Sequence, residues 1–154
     1  MTFSSPQVSR SAGDDRMSSL KPKRWVLVFS FIISAYMLFG RLGGWPLISP
    51  DEGRNAEVAR EMSQSHSWLV PTYDGLVYLD KPAFYFKTIA LSFSLLGESE
   101  GVARLSSAFF GFSLIVVVFL FCRRIYNQRT AILAMLIVAT TPLYIAFSRF
   151  VIFD

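Results

Sequence analysis

Two short polar clusters carry the groups in this chain that are able to do chemistry. The first lies in "SPDEGRNAEVAREM", residues 49–62, which sets Asp51 and Glu52 side by side with Arg54 one helical turn beyond Asp51. The second is Asp80-Lys81-Pro82. A carboxylate beside apolar surface is partly desolvated and suited to take a proton from a hydroxyl. A neighbouring cation balances charge on a departing phosphate. Together they fit a reaction on a lipid phosphate at headgroup level. A structural role accounts for part of the first cluster. Ser49 is a candidate N-cap, Pro50 takes the first helical position, and Glu52 falls where a capping box puts its acid. Asp51 in the first turn also suits the helix dipole. For Glu52 the cap alone is a sufficient account.

The elements that must position these groups follow from the apolar pattern. Of the 154 residues, 53% are hydrophobic and 16% aromatic, with 15 Phe gathered into runs. Soluble domains average about 45–50% apolar residues, so the chain reads as a membrane protein. The net charge of +4 comes with no basic patch interleaved with aromatics, so nucleic acid is not an expected partner. Cys122, the single cysteine, forms no intrachain disulfide and says nothing of redox compartment.

Residues 1–24 are rich in Ser, Pro and charge and read as a disordered cytoplasmic tail. Trp25 and Trp45 are 20 residues apart, about 30 Å as helix, and frame a first retained span over 25–45. Lys21, Lys23 and Arg24 before it place the amino-terminus inside and Asp51 outside. The polar stretch 46–101 holds eight acids against four bases, as an external loop should. Within it, 50–63 reads as a helix, and "LVPTYDGLVYLDKP" as extended chain or a loose hairpin about Asp74-Gly75. Arg123, Arg124 and Arg129 mark a cytoplasmic turn between spans over about 103–122 and 131–148. The apolar segment 82–97 then begins and ends outside, so it is expected to lie along the outer membrane surface as an interfacial helix. The expected architecture is all-α and polytopic, with three transmembrane helices and an external loop carrying interfacial helices.

"DEGRNAEVAREM", "SWLVPTYDGLVYLDKPAFYF" and "GVARLSSAFFG", in this order and spacing, resemble the amino-terminal part of membrane glycosyltransferases of the GT-C fold. The likeness is greatest to the bacterial aminoarabinose transferases that modify lipid A and to protein-mannosyltransferase-like enzymes. It covers roughly 25–154 and rests on three motifs rather than on a lone acidic pair. The resemblance implies an inverting transfer of a sugar from a polyprenyl-phosphate carrier to a glycolipid or protein acceptor, at the outer face of the bacterial inner membrane. It implies that Asp51 is the general base and that Lys81 and Arg54 attend the carrier phosphate. Asp80, Glu52 and Asp154 join the substrate site by the same likeness. Asp80 stands where the family usually has Glu, Asn55 where it has Tyr, and Ala83 where it has Pro. Relatives carry more spans and usually a soluble carboxyl-terminal domain, so the chain is expected to be a fragment, inactive alone.

The remaining candidates have simpler readings. His66 in "SQSHSW" reads as a solvated histidine. Trp68 and Tyr78 read as interfacial anchors, Arg104 and Arg149 as outer-end anchors of their spans. No His/Asp cluster has metal-ligand spacing, so neither a metal nor a cofactor is expected. The competing function is a non-catalytic membrane protein or transporter fragment. A transporter should carry acids at mid-depth in its spans, and 105–122 and 131–147 carry none.

Overall fold

The computed structural model describes residues 24–48 and 50–152. These form α1 (Arg24–Phe39), α2 (Asp51–Ser65), β1 (Thr72–Tyr73), β2 (Leu76–Val77), α3 (Ala83–Leu96), α4 (Glu100–Ile125), α5 (Gln128–Thr140) and α6 (Pro142–Arg149).

The apolar run behind α1 continues toward Trp45, but the helix stops at Phe39. The Gly40 N–H closes the last turn on the Tyr36 carbonyl at 2.8 Å. Arg41 then takes the left-handed conformation, φ 54°, and the Gly44 N–H returns to the Arg41 carbonyl at 3.1 Å. Leu42 turns inward and Trp45 stays 73% exposed.

In α2 the buried positions Glu52, Asn55, Ala56, Ala59 and Met62 recur at helical spacing and make one face. The helix ends at His66, exposed and left-handed with φ 56°. The Asp-Gly pair makes a tight hairpin rather than a loose one. Thr72 pairs Val77 and Tyr73 pairs Leu76, which leaves Asp74 (φ 52°) and Gly75 (φ 76°) as the two turn residues. Both carry the positive φ that a type I′ turn requires.

The 26-residue α4 is about 39 Å long. Ser99 Oγ accepts the Val102 N–H at 3.3 Å to cap its start, and Arg123 and Arg124 in its last turn favour the dipole. Asn127 caps α5 by accepting the Thr130 N–H at 3.0 Å. The final apolar run is not one straight helix. Thr141, preceding a proline, is extended with ψ 119°, as the clash with the Pro142 ring demands. The ring also has no N–H to continue the ladder. The axis bends by 65° between α5 and α6.

By length and composition α4 is able to cross a membrane, and α5 with α6 passes only as a bent pair. The first helix and α3 are shorter apolar helices of 16 and 14 residues. Leu114, Val117, Leu120 and Phe121 point outward from α4, an apolar face suited to lipid.

Two cores result. One packs Ala56, Ala59 and Met62 of α2 against Phe86, Ile89, Ala90 and Phe93 of α3, with Ala103 and Val151 closing it. The other joins Leu38, Ile115, Phe119, Ile132 and Met135 across α1, α4 and α5. The buried Glu52–Arg104 pair lies where the first core meets the chain around Leu42–Pro46.

Candidate functional site

The start of α2 divides its two acids by helical phase. Asp51 faces outward with its side chain 54% exposed. Its Oδ1 accepts from Arg54 Nη2 at 2.8 Å, across one turn. The Arg54 Nε is buried and has no hydrogen-bond partner. Arg54 is therefore only partly committed to Asp51.

The hairpin brings the second cluster to the first. Glu61 of α2 accepts the Thr72 hydroxyl at 2.6 Å, which pins β1 to the helix. The Tyr78 N–H bonds the Pro71 carbonyl at 2.8 Å, and the Tyr78 ring meets Phe86 edge-on with centroids 6.0 Å apart. So held, the Tyr78 hydroxyl donates to Asp80 Oδ2 at 3.3 Å. Burial pushes that hydroxyl above its ordinary pKa, the Arg54 and Lys81 charges pull it down, and Asp80 pushes it up. Arg54, Asp80 and Lys81 thus act on one phenol oxygen. Of the expected site residues, Asp51 pairs with Arg54 on α2 and Asp80 takes the Tyr78 hydroxyl after β2, where the Arg54 and Lys81 charges are also felt.

Glu52 is elsewhere. It is 0% exposed and Arg104 is 3% exposed. Arg104 donates from Nε to Glu52 Oε1 at 3.1 Å and from Nη2 to Oε2 at 2.8 Å, a bidentate pair. Glu52 Oε1 also accepts the Val151 N–H at 2.8 Å, and Oε2 the Ile48 N–H at 2.9 Å. Arg104 Nη1 reaches the Leu42 and Trp45 carbonyls at 2.9 and 2.7 Å, and Nη2 the Pro46 carbonyl at 3.0 Å. Asn55 Nδ2 donates to the Val151 carbonyl at 2.8 Å. One peptide after α6 is therefore gripped on both sides, by Glu52 and by Asn55. Burial alone would push the Glu52 carboxyl up, but the Arg104 hydrogen bonds, the two backbone donors and the Arg104 charge outweigh it and hold the carboxyl below its ordinary range. Glu52 does take the Ile48 N–H, as an acid near a helix start does, yet most of its bonds are long-range. The capping role of Ser49 and the placement of Asp154 lie outside the described residues.

Three residues matter here more than their sequence context suggested. Arg104, expected as an outer-end anchor, is the centre of the buried network. Its signal was its place in the second turn of α4, where the dipole gives a cation no help. Tyr78, expected as an anchor, links the two clusters, and Asn55 holds Val151; neither has a local signature. His66 is exposed, as a solvated histidine would be. Among the described residues no three of His, Cys, Asp and Glu gather as metal ligands do.

Residues 80–154 match the family described as dolichyl-phosphate-mannose-protein mannosyltransferase. The undecaprenyl phosphate-alpha-4-amino-4-deoxy-L-arabinose arabinosyl transferase of Shewanella sediminis is 40% identical over 106 residues, 69% of this chain and 19% of that protein. The Pectobacterium atrosepticum protein of the same name is 35% identical over 138 residues, 89% of this chain and 24% of that one. The chain thus spans about a fifth to a quarter of the length of these relatives. The crystal structure of ArnT from Cupriavidus metallidurans bound to undecaprenyl phosphate superposes with a TM-score of 0.78 at 31% identity, over 84% of this chain and 24% of that one.

Proposed function

From the premise that this chain is a relative of the GT-C membrane glycosyltransferases, of the aminoarabinose-transferase and protein-mannosyltransferase-like kind, we propose that it serves transfer of a sugar from a polyprenyl-phosphate carrier to a lipid A-like glycolipid. The reaction is placed at the outer face of the bacterial inner membrane, with loop 46–101 external and the amino-terminus cytoplasmic. The acceptor oxygen attacks the anomeric carbon, the carbon–oxygen bond to the carrier phosphate breaks, and configuration inverts. Asp51 takes the acceptor proton. Lys81 and Arg54 meet the charge that grows on the departing phosphate. Asp80 holds the Tyr78 hydroxyl, which feels both cations. Asp154 is a second acid of the site. Glu52 holds the site together from behind and touches no substrate.

The observation that supports this reading is the exposed Asp51–Arg54 pair at the start of α2, with the Tyr78–Asp80 hydrogen bond next to Lys81 as a second polar cluster. It sets an exposed acid beside one cation, and the names of the relatives supply a phosphate-linked donor for the pair. The test has two arms. A photoreactive polyprenyl phosphate should label the chain beside Lys81, and Lys81→Ala should abolish that label. Asp51→Asn in the full-length protein should leave labelling intact and lower transfer by about 10²–10⁴-fold, the usual share of a general base. Normal transfer by Asp51→Asn removes Asp51 as the base; labelling that ignores Lys81 removes the phosphate site.

A further inference from the structure

Away from these residues, the end of α1 and the end of α6 enclose two adjoining clefts. One, of about 610 Å³, is walled by Trp45, Ile48, Ile145 and Phe150. The other, of about 380 Å³, runs past Tyr36 and Arg41. Trp45, Ile145 and Arg149 line both. Among the described residues no acid lines either one, and neither includes Asp51, Arg54, Asp80 or Lys81.

Its charge is distinctive. Arg104 at the back of the larger cleft is neutralised by Glu52. Arg149 donates to the Met37 carbonyl at 2.8 Å and the Gly40 carbonyl at 2.6 Å, so dipoles rather than a carboxylate answer its charge. A guanidinium has five donors, and those bonds leave it able to accept an anion as well. Arg41 is exposed and is held by its left-handed backbone at the mouth of the smaller cleft. Tyr36 is 72% and Trp45 73% exposed, and amphipathic rings of this kind settle at headgroup level.

Apolar walls, two cations with no acid beside them among the described residues, and interfacial aromatics at the rim complement one ligand class. We propose that this double cleft holds an anionic phospholipid, its phosphate on Arg41 and Arg149 and an acyl chain along Trp45, Ile145 and Phe150. Bound there, the lipid fills the angle between α1 and the bent α6 and brings a negative charge to Arg41 and Arg149.

The test reconstitutes the whole chain in phosphatidylcholine vesicles with a trace of photoreactive phosphatidylglycerol, and maps cross-linked peptides by mass spectrometry. Segments 42–48 and 145–150 should be labelled. Arg41→Gln should lower that labelling about fivefold, the ratio expected for one basic residue at an anionic surface, and Arg41→Lys should retain it. A photoreactive phosphatidylcholine should label no better than the glutamine variant does with phosphatidylglycerol. Equal labelling by the two lipids overturns the proposal, as does full labelling of Arg41→Gln. A lysine variant no better than glutamine also overturns it, because the argument rests on charge. Displacement of the label by a polyprenyl phosphate would assign the cleft to the donor instead and overturn it too.

Discussion

Two neighbouring acids show how a single peptide bond separates an exposed carboxylate from a buried one. Asp51 is exposed and shares one bond with Arg54, whereas Glu52 is sealed with Arg104 and two backbone donors. Removing one member of a buried pair strands the other charge, at a cost of about 3–5 kcal/mol. Glu52→Ala and Arg104→Ala are each expected to lower thermal stability in detergent by that order. Asp51→Asn should shift it by less than about 1 kcal/mol, the range of an exposed pair. The pH dependence follows from the lowered Glu52 carboxyl. A group whose folded pKa is depressed contributes stability above its unfolded value, about 4.3, and loses it as pH falls through the folded one. The gap in melting temperature between the natural chain and Glu52→Gln should therefore be full at pH 6 and should narrow below about pH 4.3. The Asp51–Arg54 pairing was legible in the sequence, because three-residue spacing on a helix dictates it. The Glu52 network was not, because its partners lie 52 and 99 residues away and no local pattern encodes such a distance.

At the scale of elements, the sequence was informative where one residue type forces a conformation. The Asp-Gly pair marked the turn but left extended chain or a loose hairpin open, and the expected span over 131–148 is bent by 65° at Pro142. What sets that angle is packing. The seat of α6 on α4 is Gly111, whose carbonyl accepts the Tyr144 hydroxyl. A Cβ added at Gly111 would lie 2.5 Å from Ser148 Oγ and 2.7 Å from Ser148 Cβ. Gly111→Ala is therefore expected to push α6 off α4 and to cost about 1–3 kcal/mol, as overpacking does. Loss of a cysteine cross-link engineered between the two helices would report the movement. The end of α1 was misjudged for a related reason. Hydropathy carries on past Phe39, but the backbone turns at Arg41, and apolar content alone does not say where a helix stops.

Over the whole molecule, the two cores share α4, whose Ala103 closes the first and whose Ile115 and Phe119 belong to the second. The core of α2 and α3 is fastened to α4 by the Glu52–Arg104 pair and to the residues after α6 by Val151. A break there should loosen α2 and α3 while the helices of the second core stay folded. Arg104→Ala is accordingly expected to speed amide hydrogen exchange in 51–96 more than in 110–138. Exchange that quickens equally in both would mean the two cores unfold as one. The same fastening sets a timetable for synthesis. Glu52 and Asn55 leave the ribosome long before Val151, whose N–H lies 99 residues behind Glu52. At the usual elongation rate of about 5–20 residues per second, that wait lasts roughly 5–20 s. Throughout it Glu52 has only the Ile48 N–H and, later, Arg104 to bond, and the Asn55 amide still waits for the Val151 carbonyl, so the packing of α2 is completed by a residue far downstream of it.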